Sequence, residues 1–197
     1  MSIEQRPPFT MGNVTWRPWV ETVDDVGATP EQAALVTEVA PSPDGRAYYA
    51  TLAHDPLALR ERTGLFNAVM YGPRGARRSD RELAAVAASL INGCVYCTSV
   101  HARRFVQLTK ETGAMQRLLD EGVDTELGEQ EQAVVAYAGK LTRDPEGMTA
   151  ADLAPLRRLG MSDMEILDVT HATAMFAWAN RLMQTLGESV LPADTPA

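Results

Sequence analysis

The chain has 197 residues, 45% hydrophobic and 22% charged, a balance that suits a folded globular protein and excludes wholesale disorder. Twenty-six acidic residues against 18 basic ones give a formal charge of −8. That disfavours nucleic acid and polybasic membrane-surface partners, which both require clustered Lys and Arg. The first stretch, Met1 to Met11, carries Glu4, Arg6 and two prolines and no apolar run, so it does not read as a secretory signal. The uncharged run Leu83 to Val100 contains Ser89, Asn92, Gly93, Thr98 and Ser99 and reads poorly as a membrane span. A cytoplasmic protein is expected.

Residues 1–19 read as an irregular arm, since Pro7, Pro8 and Pro18 block regular structure, with Trp16 and Trp19 as the side chains that pin it. Residues 20–197 read as one helical domain. Pro30 opens the segment EQAALVTEVA, with proline just inside a helix start. The run Pro41-Ser42-Pro43-Asp44-Gly45 breaks it. The patterning then predicts helices over 44–53, 55–70, 79–91, 94–111, 113–121, 128–142, 150–158 and 162–186. Breaks fall at Gly72-Pro73-Arg74-Gly75, Asn92-Gly93, Asp144-Pro145-Glu146-Gly147 and Gly160. No alternating run of strand length stands out, so the fold class is all-α. Ser79-Asp80-Arg81-Glu82-Leu83 resembles Ser162-Asp163-Met164-Glu165-Ile166. An internal duplication into two lobes would produce that match, and so would convergent capping chemistry.

The chemistry concentrates in one window. Both cysteines of the chain, Cys94 and Cys97, stand three apart just after Asn92-Gly93, and His101 follows four residues later. Asn-Gly ends one helix and places Cys94 at the start of the next. At roughly 100° per residue, Cys94, Cys97 and His101 share one face. A helix N-terminus stabilises a thiolate, the reactive form of cysteine. A neighbouring thiol can rescue an oxidised one as a disulfide, and a histidine one turn away can exchange its proton.

Glu82, eleven intervening residues, then Cys94-Val95-Tyr96-Cys97-Thr98-Ser99-Val100-His101 resembles the E-x11-C-x2-C-x3-H signature of AhpD-like alkylhydroperoxidases. These belong to the carboxymuconolactone decarboxylase superfamily. The helical core around the signature would cover about 55–125, and Ala177-Trp178-Ala179-Asn180-Arg181-Leu182 resembles the asparagine-bearing last helix of peroxidase-related members. The resemblance implies an AhpD-like helical fold, a cysteine-pair peroxidase with no cofactor, and a homo-oligomer. It implies Cys97 as the peroxidatic thiol, Cys94 as the resolving thiol, and Glu82 and His101 as a proton relay. The partners it implies are a hydroperoxide and an external dithiol reductant of lipoyl or thioredoxin type. The superfamily's decarboxylases lack the cysteine pair, and where close relatives of the founding peroxidases often carry histidine this chain has Tyr96. The helix dipole alone favours Cys94 as the more acidic thiol, whereas the resemblance favours Cys97.

Other readings stand beside these. The pair could serve a dithiol redox sensor with little turnover, or, with Glu82 and His101, ligate zinc, although three zinc ligands crowded on one helix is an unusual arrangement. Ser79 and Glu82 also form a capping-box pattern, so Glu82 could be a helix cap. His171, Trp178 and Asn180 share a helix with an apolar stripe of Met164, Leu167, Ala174 and Met175, which reads as core or subunit contact. His54 reads as a helix-end residue. Arg74, Arg77 and Arg78 form a basic loop, solvated or facing a substrate carboxylate.

Overall fold

The computed structural model describes residues 7–40 and 43–191. Part of the expected N-terminal arm, the Pro41-Ser42 break and the last six residues lie outside these. In chain order the elements are β1 (Thr15–Pro18), α1 (Val23–Val26), α2 (Pro30–Val39), α3 (Pro43–Leu52), α4 (Pro56–Tyr71), α5 (Arg78–Asn92), α6 (Val95–Thr109), α7 (Thr112–Glu121), α8 (Glu129–Arg143), a 3-10 turn (Ala150–Leu153), α9 (Ala154–Arg158), α10 (Asp163–Thr185) and β2 (Gly187–Val190). The all-α class and nearly every expected helix are present.

The centre of the fold is α5. Every residue from Asp80 to Leu90 is buried, and four of them, Ala84, Ala85, Ala87 and Ala88, are alanines with no exposure at all. A helix buried on all sides needs small side chains so that neighbours can approach, and α6, α8 and α10 pack around it. Its end is a Schellman turn. Gly93 adopts a left-handed conformation (φ 74°), its N–H bonds to Leu90 O at 3.1 Å, and the Cys94 N–H bonds to Ser89 O at 2.9 Å. Cys94 is in turn the N-cap of α6, its carbonyl accepting from Thr98 N at 3.0 Å. One residue therefore closes one helix and opens the next.

The arm departs from its reading. Thr15–Pro18 pairs antiparallel with Gly187–Val190, Thr15 opposite Val190 and Pro18 opposite Gly187. The strands are four residues long, too short for alternation to show, and their pairing is set by tertiary contacts. Trp16 does pin the arm, donating Nε1–H to Met183 O at 2.9 Å, but Trp19 is half exposed. Strand β2 also serves α6: Ser189 Oγ accepts the Tyr96 N–H of its first turn at 3.1 Å. A second small core, built on Val23, Leu35, Val36, Val39 and Leu59, packs α1 and α2 against α3 and α4.

Two local readings are corrected. The apolar stripe on α10 is core only in part: Met175 and Asn180 are buried, whereas Met164, Leu167, Ala174 and Trp178 are exposed, as is His171. The buried face is Ile166, Val169, Met175, Phe176, Ala179, Asn180 and Met183. Ser79 and Glu82 do not form a capping box, because α5 starts at Arg78 with Arg77 as N-cap, which leaves Ser79 already inside the helix. Ser162 and Glu165 do form one, so the matching strings are not structurally equivalent.

Candidate active site

Five helices enclose a cavity of about 410 Å³. Its floor is α5 and α6, which supply Arg78, Glu82, Tyr96, Cys97 and His101. The walls are α3 with Tyr48 and Tyr49, α4 with Arg62, Phe66 and Tyr71, and α10 with Phe176, Ala179 and Met183.

Glu82 is completely buried, and both its oxygens are used. Oε2 accepts from His101 Nδ1 at 2.5 Å, and Oε1 accepts from Arg78 Nε at 2.6 Å. Burial would raise its pKa, but the His101 and Arg78 partners outweigh that and hold the carboxyl below its ordinary value. An ionised carboxylate only accepts, so Nδ1 of His101 must carry the proton, and Nε2 is the nitrogen left for exchange. Phe176 packs edge-on against the imidazole, centroids 4.2 Å apart, and fixes the ring plane. Arg78 lies over Tyr71 at 4.0 Å, which holds the third member of the row.

Cys94 and Cys97 are both buried and are not joined in a disulfide. They differ in access: Cys97 lines the cavity, whereas Cys94 does not. The Cys97 thiol is raised well above its usual range, by its hydrogen bond to Cys94, by burial and by the Cys94 charge; Asn180 and Arg62 pull the other way. The N-terminal position in α6 thus does not by itself yield a thiolate at Cys97. Asn180, fully buried, also donates to Ser89 Oγ and accepts from Asn92 Nδ2, both at 3.0 Å, tying α10 to the end of α5 beside the cysteines.

The structure therefore brings Glu82, His101, Cys97 and Cys94 together. Sequence reasoning took Glu82's cap pattern as a serious rival, and Glu82 is an internal ion-pair partner. The reading of Asn180 as core or subunit contact fits its complete burial, and its place beside Cys97 fits the asparagine-bearing helix of the resemblance. Sequence reasoning did not single out Arg62, Tyr48 or Phe176, which come from distant helices and form no local motif. Of the basic loop, Arg77 pairs with Asp80 at 2.8 Å and only Arg78 reaches the cavity. His54 ties the turn after α3 to Glu21 O at 2.9 Å, away from the site. Among the described residues no three His, Cys, Asp or Glu side chains are arranged to hold a metal ion, and no helix is long and apolar enough to cross a membrane.

Residues 56–140, which run from α4 into α8, match the Carboxymuconolactone decarboxylase family. No curated protein matches the sequence. Among solved structures, the chain resembles an uncharacterized peroxidase-related protein from Ralstonia eutropha JMP134, described as an alkylhydroperoxidase AhpD core. The TM-score is 0.69 at 26% identity over 84% of this chain and 90% of that one. It also resembles an uncharacterized peroxidase-related protein from Silicibacter sp. TM1040, with TM-score 0.66 and 25% identity over 86% of this chain and 92% of that one. The debrominase Bmp8, with TM-score 0.61 and 16% identity over 85% of this chain and 87% of that one, shares the fold. The α3 and α10 walls of the cavity, with Tyr48 and Phe176, fall outside the family-matched stretch, as does Asn180.

Proposed function

Proceeding from a core of the AhpD-like carboxymuconolactone decarboxylase superfamily, we propose that this chain is a thiol-dependent peroxidase. It reduces hydroperoxides by cycling Cys97 and Cys94 between dithiol and disulfide. The observation that carries this reading is the placement of Cys97 in the cavity wall with the His101–Glu82 pair, while Cys94 makes a hydrogen bond to it from outside the cavity lining.

Because the Cys97 thiol is held protonated, it needs a base, and His101 Nε2 fills that role. The Glu82 carboxylate offsets the charge that the imidazole gains. The Cys97 thiolate attacks the terminal peroxide oxygen. The S–O bond forms as the O–O bond breaks, and the departing alkoxide takes the proton from His101 and leaves as an alcohol. The Cys94 sulfur then attacks the Cys97 sulfenic acid. The disulfide forms, and the hydroxyl leaves with the Cys94 proton as water. An external dithiol of lipoyl or thioredoxin type reduces the disulfide and is itself oxidised to a disulfide. A homo-oligomer belongs to this reading, and the exposed Met164, Leu167 and Trp178 are compatible with it.

The test is peroxide consumption with a panel of dithiol donors. Catalytic turnover with one of them is expected. Stoichiometric oxidation with every donor would replace the enzyme by a dithiol redox sensor. Intact mass after peroxide should show the loss of two hydrogens, and sulfinic acid on both thiols would remove Cys94 from the resolving role.

A further inference from the structure

The cavity differs in sign from the chain that builds it. The protein carries a formal charge of −8, yet the cavity is lined by four arginines and a single acid, Glu82. Three of the arginines are occupied. Arg78 is bound to Glu82. Arg103 donates to Gly12 O, Asn13 Oδ1 and Ser99 Oγ. Arg104 donates to Gln107 Oε1. Arg62 is different. Its Nε and Nη1 are shielded from solvent and have no hydrogen-bond partner, and no carboxylate of the described residues pairs with it. What surrounds it is aromatic: Phe66, Tyr49 and Tyr48, with ring centroids at 4.6, 5.5 and 6.0 Å. The Tyr48 hydroxyl, on the same wall, is also buried and unpartnered. Three of the five orphaned buried polar atoms among the described residues thus lie together on the cavity wall. Arg62 is half-buried, but leaving two shielded guanidinium nitrogens without an acceptor is costly, and they call for a partner that the chain does not supply.

We propose that Arg62, assisted by the Tyr48 hydroxyl, anchors a carboxylate of the substrate, so that the cavity takes anionic organic hydroperoxides with an apolar or aromatic body. The guanidinium supplies charge-assisted donors, and Tyr48, kept protonated by burial, supplies another. Phe66 and Tyr49 pack the apolar body, and Cys97 lines the same cavity to meet the peroxide. The positive cavity within an acidic protein also steers anions toward the site. This substrate class rests on the peroxidase reading.

The test compares cumene hydroperoxide with its ring-carboxylated analogue, and measures binding of 4-isopropylbenzoate, which cannot react, by calorimetry. The wild type should prefer the carboxylated hydroperoxide in kcat/KM by roughly 10- to 100-fold, the value of a charge-assisted hydrogen bond. Arg62→Met should bring that ratio close to one and weaken 4-isopropylbenzoate binding by a similar factor. Arg62→Lys, which keeps the charge, should recover part of both. If Arg62→Met slows both hydroperoxides equally, or leaves 4-isopropylbenzoate binding intact, Arg62 acts elsewhere and the anchor is overturned. If neither hydroperoxide is consumed but 4-isopropylbenzoate binds through Arg62, the anchor stands and the peroxidase reading fails.

Discussion

Ser79-Asp80-Arg81-Glu82 and Ser162-Asp163-Met164-Glu165 differ at one position in four, and the fold uses them in opposite ways. At 162–165 the string is a helix cap. Ser162 Oγ accepts the Glu165 N–H at 3.3 Å, and Glu165 returns a bond to Ser162 N at 2.7 Å, all at the surface. At 79–82 the helix begins earlier, because Arg77 O already accepts from Asp80 N and Arg81 N at 3.0 and 3.2 Å, and the Asp80 carboxylate is taken by Arg77. Glu82 then lies a turn inside the helix, in the core, where His101 and Arg78 meet it. The differing residue is informative: Met164 is half exposed, whereas Arg81 is buried and bonds to Asp168, Gly72 O and Arg74 O. A local capping pattern decides a helix start only when no tertiary partner competes for its carboxylate.

Exchanging the differing residue should give the largest effect. Arg81→Met leaves the Asp168 carboxylate and two loop carbonyls without their shared donor, and should cost about 3 kcal/mol in denaturant unfolding. The converse change, Met164→Arg, is at the surface and should stay within about 0.5 kcal/mol. Equal effects at the two positions would erase the contrast.

Exchanging the glutamates separates chemistry from capping. Glu82→Gln should slow peroxide reaction at Cys97 by roughly 100-fold or more with the fold retained, as expected for loss of a carboxylate that supports a general base. Glu165→Gln should leave that rate at the wild-type value. A reactive Glu82→Gln protein with an unchanged thiol alkylation profile would reduce Glu82 to a structural residue.

Acid should sharpen the same contrast. Glu82 and Glu165 are both held below the ordinary value of 4.5, Glu82 by His101 and Arg78 against its burial, Glu165 mainly by Ser162. A depressed folded pKa gives a contribution that is present above the unfolded value and lost as pH falls through the folded one. Both should therefore weaken the fold below pH 4.5. Cys97 reactivity in rapid-mixing measurements, however, should depend on the His101–Glu82 pair and not shift in Glu165→Gln.

The smallest effects concern the serines. Ser162→Ala should lose about 1 kcal/mol, the usual value of an N-cap, with peroxide reactivity intact. Ser79→Ala should lose less than about 0.5 kcal/mol, since Ser79 caps nothing. A Ser79 cost as large as that of Ser162 would restore the capping reading of 79–82.

The local sequence of this protein determined its helices, because 3.6-residue patterning, Asn92-Gly93 and the proline starts act within a few residues of themselves. It also determined that Cys94, Cys97 and His101 share a helix, since spacing on one helix is geometry. Glu82 was legible only through its resemblance to a family signature, because its cap pattern and its inward placement look alike until α6 packs on α5. The tertiary structure alone decided the rest. The pairing of Thr15–Pro18 with Gly187–Val190 joins segments more than 160 residues apart. Cys97 and not Cys94 lines the cavity, and Asn180 lies beside it from α10. Arg62, Tyr48 and Phe176 meet across α3, α4 and α10. The meeting of Arg62, Tyr48 and Phe176 carries no local signal, because a cavity wall assembled from separate helices is fixed by how those helices pack, and no short stretch of chain contains it.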